Sequence, residues 1–577
     1  MDRWIVDSEP GGRFPAWTRG NAADVFPEPV SPLFVSLYLH DGMSQALRDA
    51  YIDIGVYDFD EIPNANGKDH PVLFGVFGGQ VYNPLSFIRV FGARMPGASP
   101  DAIDKAFFDE RPDVPPYKPE PWHESPKHAE KLGAQAGFVL STPGLPELDR
   151  DKWQADTLRA TRPDFSLLDV SALFNRVRAM VAYVRQTFET GMFASTLSSV
   201  GPGALSAICE ALGDVTMSIR LLAGIEVDSA EPPKAMWALS RIARRSAAIS
   251  ALFEQGAHGL DARLRASTQP EVQAFVTAFD DFLFHYGSRG ANEYEAMAPS
   301  WEIYPDGALG AIDRMRVSDD SQDPAVRRAA SVAERDRLAA DIRAKLAGDP
   351  ETLGLFEAAL QSSAVFLGGR ERAKTNVIKV IGEIKVAMRE VARRMVEVGH
   401  LESEEHIFML LASEMDEYNN EPDRFGVTLA SRYAQYRQLA ELEPPFVIDG
   451  TPPPMSQWRK KAASTAAVAR PGDVLKGAAG SGGVAEGRAR VILDPMDPAD
   501  LEPGDVLIAP QTDPSWGPIF VPAAAVVVNV GAMGSHAMIV SRELGIPCVV
   551  SVEDATARIP DGAMVRVDGN AGTVTLL

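Results

Sequence analysis

An α+β multidomain fold, mainly helical and followed by a small C-terminal α/β domain, is what this sequence predicts. Helical periodicity through the middle of the chain, a Pro-, Ala-, Gly- and Ser-rich break after it, and short β-like runs beyond the break carry that reading. Residues 1–165 are rich in Pro, Gly and aromatics, with short mixed segments such as VSPLFVSLYL and HPVLFGVFGGQVY, and are expected to be an α+β region with many loops. From about residue 166 apolar side chains recur three or four apart: Val170, Leu173, Val177, Met180, Val184 and Phe188 share one helical face. Similar stripes fill 203–225, 234–265, 270–286, 324–348, 352–366 and 370–398, so 166–442 is expected to be a helical domain whose stripes are core. The composition shift over 443–483 predicts a semi-rigid hinge linker, placed at 443–470, and 471–577 forms the last domain. There GRARVIL, DVLIAP, AAVVVNV, PCVVSV and MVRVDG read as strands, interrupted by one helix at about 535–544.

Composition narrows the function. Lys and Arg total 56 against 79 Asp and Glu, a net charge of −23, which argues against nucleic acid or an anionic membrane as the main partner. No basic N-terminal region followed by an apolar run and cleavage site is seen, and no stretch of about 18 apolar residues is read, so a cytoplasmic protein is expected. Cys209 and Cys548 are far apart and outside any CxxC pattern, giving neither a disulfide framework nor a zinc site. Nor do His40, His70, His123, His128, His258, His285, His400 and His406 show HExxH or similar spacing, so no metal site is expected.

The most informative stretch is VVVNVGAMGSHAMIVSRELGIPCVV, residues 526–550. An apolar strand runs into a Gly-rich turn, Gly531 to Gly534; Ser535 is placed as N-cap, His536 falls in the first turn of a helix, and Gly545 with Pro547 ends it. A histidine so placed lies beside unpaired N–H groups and the positive end of a helix dipole, which suits a dianionic phosphoryl group held at Gly534 and Ser535. The same field disfavours imidazolium and leaves a ring lone pair for nucleophilic attack. A histidine at a helix start also serves as a capping or packing residue, so the position alone does not decide.

GAMGSHAMIVSRELGIPCVV resembles the phosphohistidine signature of the swivelling domain shared by phosphoenolpyruvate synthase, pyruvate phosphate dikinase and rifampin phosphotransferase. GGVAEGRARVILDP, LEPGDVLIAPQTDPSW and VDGNAGTVTLL are similar to other parts of that domain. Upstream, WTRGNAADVFPEPVSPL, FGVFGGQVYNPLSFIRVFGARMPGASPDAI, HYGSRGANEYEAMAPSW and GRERAKTNVIK look, more loosely, like the substrate-binding region of rifampin phosphotransferase. The resemblance implies a helical substrate-binding domain followed by a swivelling β/β/α phosphohistidine domain, with His536 carrying phosphate. In these relatives an ATP-grasp domain comes first; none is expected to fit before Trp17, no Walker loop is read, and no C-terminal barrel is expected after Leu577. The expected protein is therefore one subunit of a split phosphotransferase resembling phenylphosphate synthase, with ATP and Mg2+ bound by a separate ATP-grasp subunit and a small phenol as acceptor. A split rifampin-type antibiotic phosphotransferase, a phosphohistidine carrier or regulatory protein, and a non-catalytic relative that binds an aromatic ligand are the alternatives.

For transfer to the acceptor, cationic groups must converge on the phosphoryl oxygens. Arg370 and Lys374 are four apart and are placed on one face at a helix start, with Glu371 between them; on a solvated surface such a pair would be unremarkable. The RExxK run resembles a motif of rifampin phosphotransferase near the transferred phosphate, which implies that Arg370 and Lys374 clamp the phosphoryl group and Glu371 orients them or accepts a proton. Arg289 in YGSRGANEYE is a candidate for phosphate or substrate, although Ser288 stands where the relatives read GHRG. Glu293 is a substrate-binding candidate in the same segment and, like Glu295, equally an ion-pair partner; Arg19 and Asn21 are further candidates near the N-terminus.

Overall fold

A computed structural model describes residues 3–9, 12–62, 73–108, 114–461, 467–493, 495, 501–512, 516–531 and 535–577. The chain divides into two compact units: 1–198, 294–298 and 372–462 form the first, and 199–293, 299–371 and 463–577 the second. The sequence placed boundaries at 165 and 442, whereas both units are assembled from discontinuous stretches.

The first unit is helical with two small ribbons. Its strands are β1 (Ala16–Thr18), β2 (Gly75–Phe77), β3 (Gln80–Tyr82) and β4 (Val447–Asp449). β2 and β3 form a hairpin closed by Gly78 and Gly79, at φ 56° and 71°, where only glycine turns this tightly without strain. β1 pairs with β4, setting Trp17 opposite Ile448, and those two residues pack with Phe77 and Tyr82 in one cluster. The expected linker is thus bound into the unit over its first part: β4 joins a ribbon, Met455 is buried, and the Trp458 ring lies where a side chain on Gly78 would go. A Pro-rich composition concealed apolar anchors, whose burial outweighs the tendency of such a segment to stay extended and solvated. The helix Val170–Leu197 buries the predicted stripe of Leu173, Val177, Met180, Val184 and Phe188. The stretch Val170–Ala211 is long and apolar enough, by length and composition alone, to cross a membrane, and 39% of its apolar window is buried within the fold.

In the second unit an eight-stranded sheet is built from β5 (Val474–Lys476), β6 (Ala478–Ser481), β7 (Val484–Val491), β8 (Val506–Ala509), β9 (Ala525–Val528), β10 (Cys548–Val550), β11 (Met564–Asp568) and β12 (Thr573–Leu576). The order is β5-β12-β11-β7-β8-β9-β10-β6, and β7 to β10 run parallel to their neighbours within that series. Both faces are covered, so these strands read as continuous apolar runs. Leu507, Ala509, Val526, Val528, Cys548 and Val550 face a core shared with Met236, Phe279, Phe282 and Ile312, while Val506, Ile508, Ala525, Val527 and Val549 face a second core with Val565, Val567 and Val574. Each fully buried valine contributes roughly 1.5 kcal/mol.

A 48-residue helix, Pro350–Glu397, passes from the second unit into the first between Glu371 and Arg372. The sequence suggested a helix start near 370, after Gly368–Gly369; instead the helix runs through. Gly368 permits a close approach, since a Cβ there would lie 3.0 Å from the Glu226 carbonyl oxygen, and that packing offsets the roughly 1 kcal/mol cost of a helical glycine. Arg370, Glu371 and Lys374 are therefore mid-helix residues.

Candidate functional site

His536 opens the helix His536–Leu544, reached from the C-terminal end of β9. Gly545, at φ 63°, ends it, its N–H donating to the carbonyls of Arg542 and Ser541. Ser535 has the extended backbone of an N-cap, but its hydroxyl makes no capping bond, and its Oγ is buried without a partner among the described residues. Gly534, the other expected phosphate-loop residue, lies outside the described residues. The half-buried imidazole sets Nδ1 3.0 Å from Thr512 Oγ1, and its ring meets Phe520 edge-on at 5.7 Å.

Thr512 follows β8 and His536 follows β9, so two loops at the C-terminal edge of adjacent parallel strands meet, where open α/β sheets place their ligands. When Nδ1–H donates to Thr512 Oγ1, the neutral ring presents Nε2 with its lone pair. Thr512 was not singled out in the sequence; its one signal was a hydroxyl residue just past a strand end. Thr512→Val should slow phosphorylation of His536 about tenfold, the worth of one tautomer-fixing hydrogen bond, with Thr512→Ser restoring the rate in rapid-quench measurements.

Lys374 belongs to the first unit, where its Nζ lies 5.9 Å from the Tyr294 ring centroid. Tyr294 packs against Phe26 at 5.7 Å, Phe26 against Phe34 at 5.5 Å, and Tyr38 donates its hydroxyl to the Tyr294 carbonyl at 2.6 Å. Asp24, which the sequence reading missed, lies within reach of the Lys374 charge. Asn21, at φ 60°, an excursion asparagine tolerates, turns the chain into the short helix Ala22–Val25 that carries it. Burial pushes the Asp24 carboxyl up to about 6 even though the charges of Arg19 and Lys374 pull it down, and Oδ1 has no hydrogen-bond partner among the described residues.

The remaining candidates are held by the fold. Arg289 and Glu293, both buried, form an ion pair in the second unit, Nη1 lying 3.0 and 3.2 Å from the two carboxylate oxygens. Glu295 belongs to the first unit, where it accepts from Ser31 Oγ at 2.5 Å and from the N–H groups of Ser31 and Met297 at 3.1 Å. Arg19 is 4% exposed and donates to the carbonyls of Val81 and Phe26 at 2.7 and 2.9 Å, so its described bonds tie the N-terminal segment to the β2–β3 hairpin.

Glu371 is buried and lies in the second unit, where its charge reaches Glu543 on the histidine helix. Burial pushes Glu543 up to about 8, reinforced by Glu371 and opposed by Arg328, Lys234 and Arg335; its Oε2 has no partner among the described residues. The folded state therefore holds a proton that the unfolded chain, titrating near 4.5, releases. Stability contributed by this group is lost as pH rises from about 4.5 to about 8, on the order of 3 kcal/mol by pH 7. Glu543→Gln should remove that loss, so that urea unfolding shows the variant gaining on the wild type between pH 5 and pH 8 and not below.

Residues 168–371 match the fourth domain of rifampicin phosphotransferase, and residues 501–572, which include Thr512 and His536, match the mobile domain of PEP-utilising enzymes. An uncharacterised protein of Mycobacterium tuberculosis is 28% identical over 585 residues, covering 97% of this chain and 61% of the relative. A rifampicin phosphotransferase of Streptomyces sviceus is 33% identical over 52% of this chain and 34% of its own length, and one of Bacillus subtilis is 34% identical over 37% and 24%. The chain thus spans less than two thirds of the length of these relatives.

Proposed function

We propose that the chain is a phosphotransferase of the PEP-utilising type, supported by its matches to the rifampicin phosphotransferase fourth domain and to the PEP-utilising mobile domain, and that it carries a phosphoryl group on His536 and passes it to the hydroxyl of a small aromatic acceptor. The observation that carries this reading is the imidazole at a helix start on the C-terminal edge of a parallel sheet, with Nδ1 beside Thr512. Nε2 attacks the donor phosphorus; a P–N bond forms as the donor P–O bond breaks. The acceptor oxygen then attacks, the P–N bond breaks, and the acceptor proton passes to Asp24. Arg370 and Lys374 hold the phosphoryl oxygens while Glu371 orients them. The donor is assigned to a separate ATP-grasp subunit that holds ATP and Mg2+; any travel of the histidine domain toward it requires opening the core that its strands share with Met236, Phe279, Phe282 and Ile312. The Tyr294 ring beside Lys374 favours an aromatic acceptor, and the acidic hydroxyl of a phenol suits a carboxylate base.

A second reading, a rifamycin-type macrocycle as acceptor, is favoured by the match over residues 168–371. One experiment separates them: phosphorylate the chain with an ATP-grasp partner and ATP, remove both, and add phenols or rifamycins while following the protein-bound phosphate by intact mass. Loss of phosphate to phenols with formation of the aryl phosphate supports the first reading, and loss to rifamycins alone supports the second. Phosphate lost only to water, or never acquired, overturns both.

A further inference from the structure

In the first unit a turn and a helix bring together three side chains whose sequence spacing gave no hint of a shared role. Asp58 caps the single-turn helix Phe59–Glu61, with the Glu61 carboxylate folded back onto the Asp58 N–H at 2.8 Å. His128 lies in the first turn of the helix Pro126–Ser141. Ser125 occupies the N-cap position of that helix but makes no capping bond; its Oγ lies 2.7 Å from His128 Nδ1. With Nδ1–H donated to Ser125, the Nε2 lone pair points the other way, toward the two carboxylates. His128 is 4% exposed, and its Nε2 is buried without a hydrogen-bond partner among the described residues.

The distances are informative. Nε2 lies 3.4 Å from Asp58 Oδ2 and 3.4 Å from Glu61 Oε2, and ligand atoms of all three residues fall within 4.8 Å of one another. A tetrahedral ion with bonds of about 2.0–2.1 Å has ligand atoms about 3.3–3.4 Å apart, whereas an octahedral edge would be near 3.0 Å. We propose that Asp58, Glu61 and His128 bind a divalent cation of the zinc class, with the fourth position open to water or a small ligand on the exposed side of Asp58. The ligand set is one imidazole nitrogen and two carboxylate oxygens, donor types that zinc accepts. Burial, then the charge of Arg94, lowers the His128 pKa, which keeps the ring in the neutral form a metal requires.

Competing cations are present. Lys127 lies 2.6 Å from Asp58 Oδ2 and Lys131 3.0 Å from Oδ1, but these side chains are 63% and 43% exposed, so an incoming ion displaces them into water at little cost. Arg94 sits 2.7 Å from Glu61 Oε1 and 3.1 Å from Oε2, and it also donates to the carbonyls of Val56, Trp122 and His123, so it acts as an outer support that fixes the Glu61 carboxylate. Once filled, the site pins the 58–61 turn to the helix Pro126–Ser141.

The test uses the full chain, stripped with a chelator and titrated with Co2+ and with Zn2+ in competition with a chromogenic chelator. Expected are the intense visible bands of tetrahedral Co2+, displacement by Zn2+, and affinity about 100-fold weaker in both His128→Gln and Asp58→Asn. Asp58 is partly exposed, so its variant reports even where His128→Gln fails to fold. Absence of tetrahedral Co2+ bands in the wild type, or undiminished Zn2+ affinity in either folded variant, overturns the proposal.

Discussion

His536→Ala will carry no acid-labile phosphate under conditions where the wild type, incubated with ATP, Mg2+ and an ATP-grasp partner, becomes phosphorylated. Intact-mass measurement after alkaline work-up reads the difference directly, because phosphoramidate survives base and is lost in acid. The effect is all or none, because the neighbouring Thr512 hydroxyl is a far weaker nucleophile at neutral pH than an imidazole. The variant should fold. Alanine suits the first turn of a helix and the ring is only half-buried; the losses include a hydrogen bond at Thr512 and an edge contact with Phe520, which together contribute about 1–2 kcal/mol. A phosphate adduct that persists in the variant would place the carrier elsewhere on the chain and sink the mechanism.

How much of this could be read beforehand follows from which determinants are local. The start of the helix at His536 and its stop at Gly545 lie within ten residues, so the helix was legible, as were the strands, whose apolar runs need only two covered faces to explain them. Ser535 shows the limit: its place before the helix was right, yet its hydroxyl does not cap. Composition concealed that the first part of the expected linker is anchored, because Pro and Gly dominate its composition while Ile448, Met455 and Trp458 dominate its energy. Arg370 and Lys374 were expected at a helix start because Gly368–Gly369 reads as a break, and nothing local records that Glu226 needs the room. Asp24 and Thr512 were invisible for a common reason: the burial that shifts Asp24 and the His536 ring that meets Thr512 exist only in the folded chain.

Asp24→Asn should lower the rate of phosphoryl transfer from His536 to the acceptor by about a thousandfold while leaving phosphorylation of His536 itself unchanged. General bases contribute roughly 100- to 10,000-fold, and the buried, unpartnered Oδ1 argues for the middle of that range. The pH profile separates a base from a packing residue. A carboxyl that titrates near 6 accepts a proton from the acceptor only when ionised, so wild-type transfer should rise with pH, increase about tenfold per unit below 6, and level off above it. Burial sets that position, since the nearby charges of Arg19 and Lys374 alone would draw the carboxyl below its usual range. Two further results follow. Removing the Lys374 charge in Lys374→Met should move the limb to higher pH, as well as slowing transfer through loss of a phosphoryl contact, and Asp24→Asn should abolish the limb altogether. A limb near 6 that survives in Asp24→Asn would assign the proton to another group, with Glu371 the next to test; a flat wild-type profile from pH 5 to 8 would mean that the acceptor reaches phosphorus already ionised and that no base on this chain is needed.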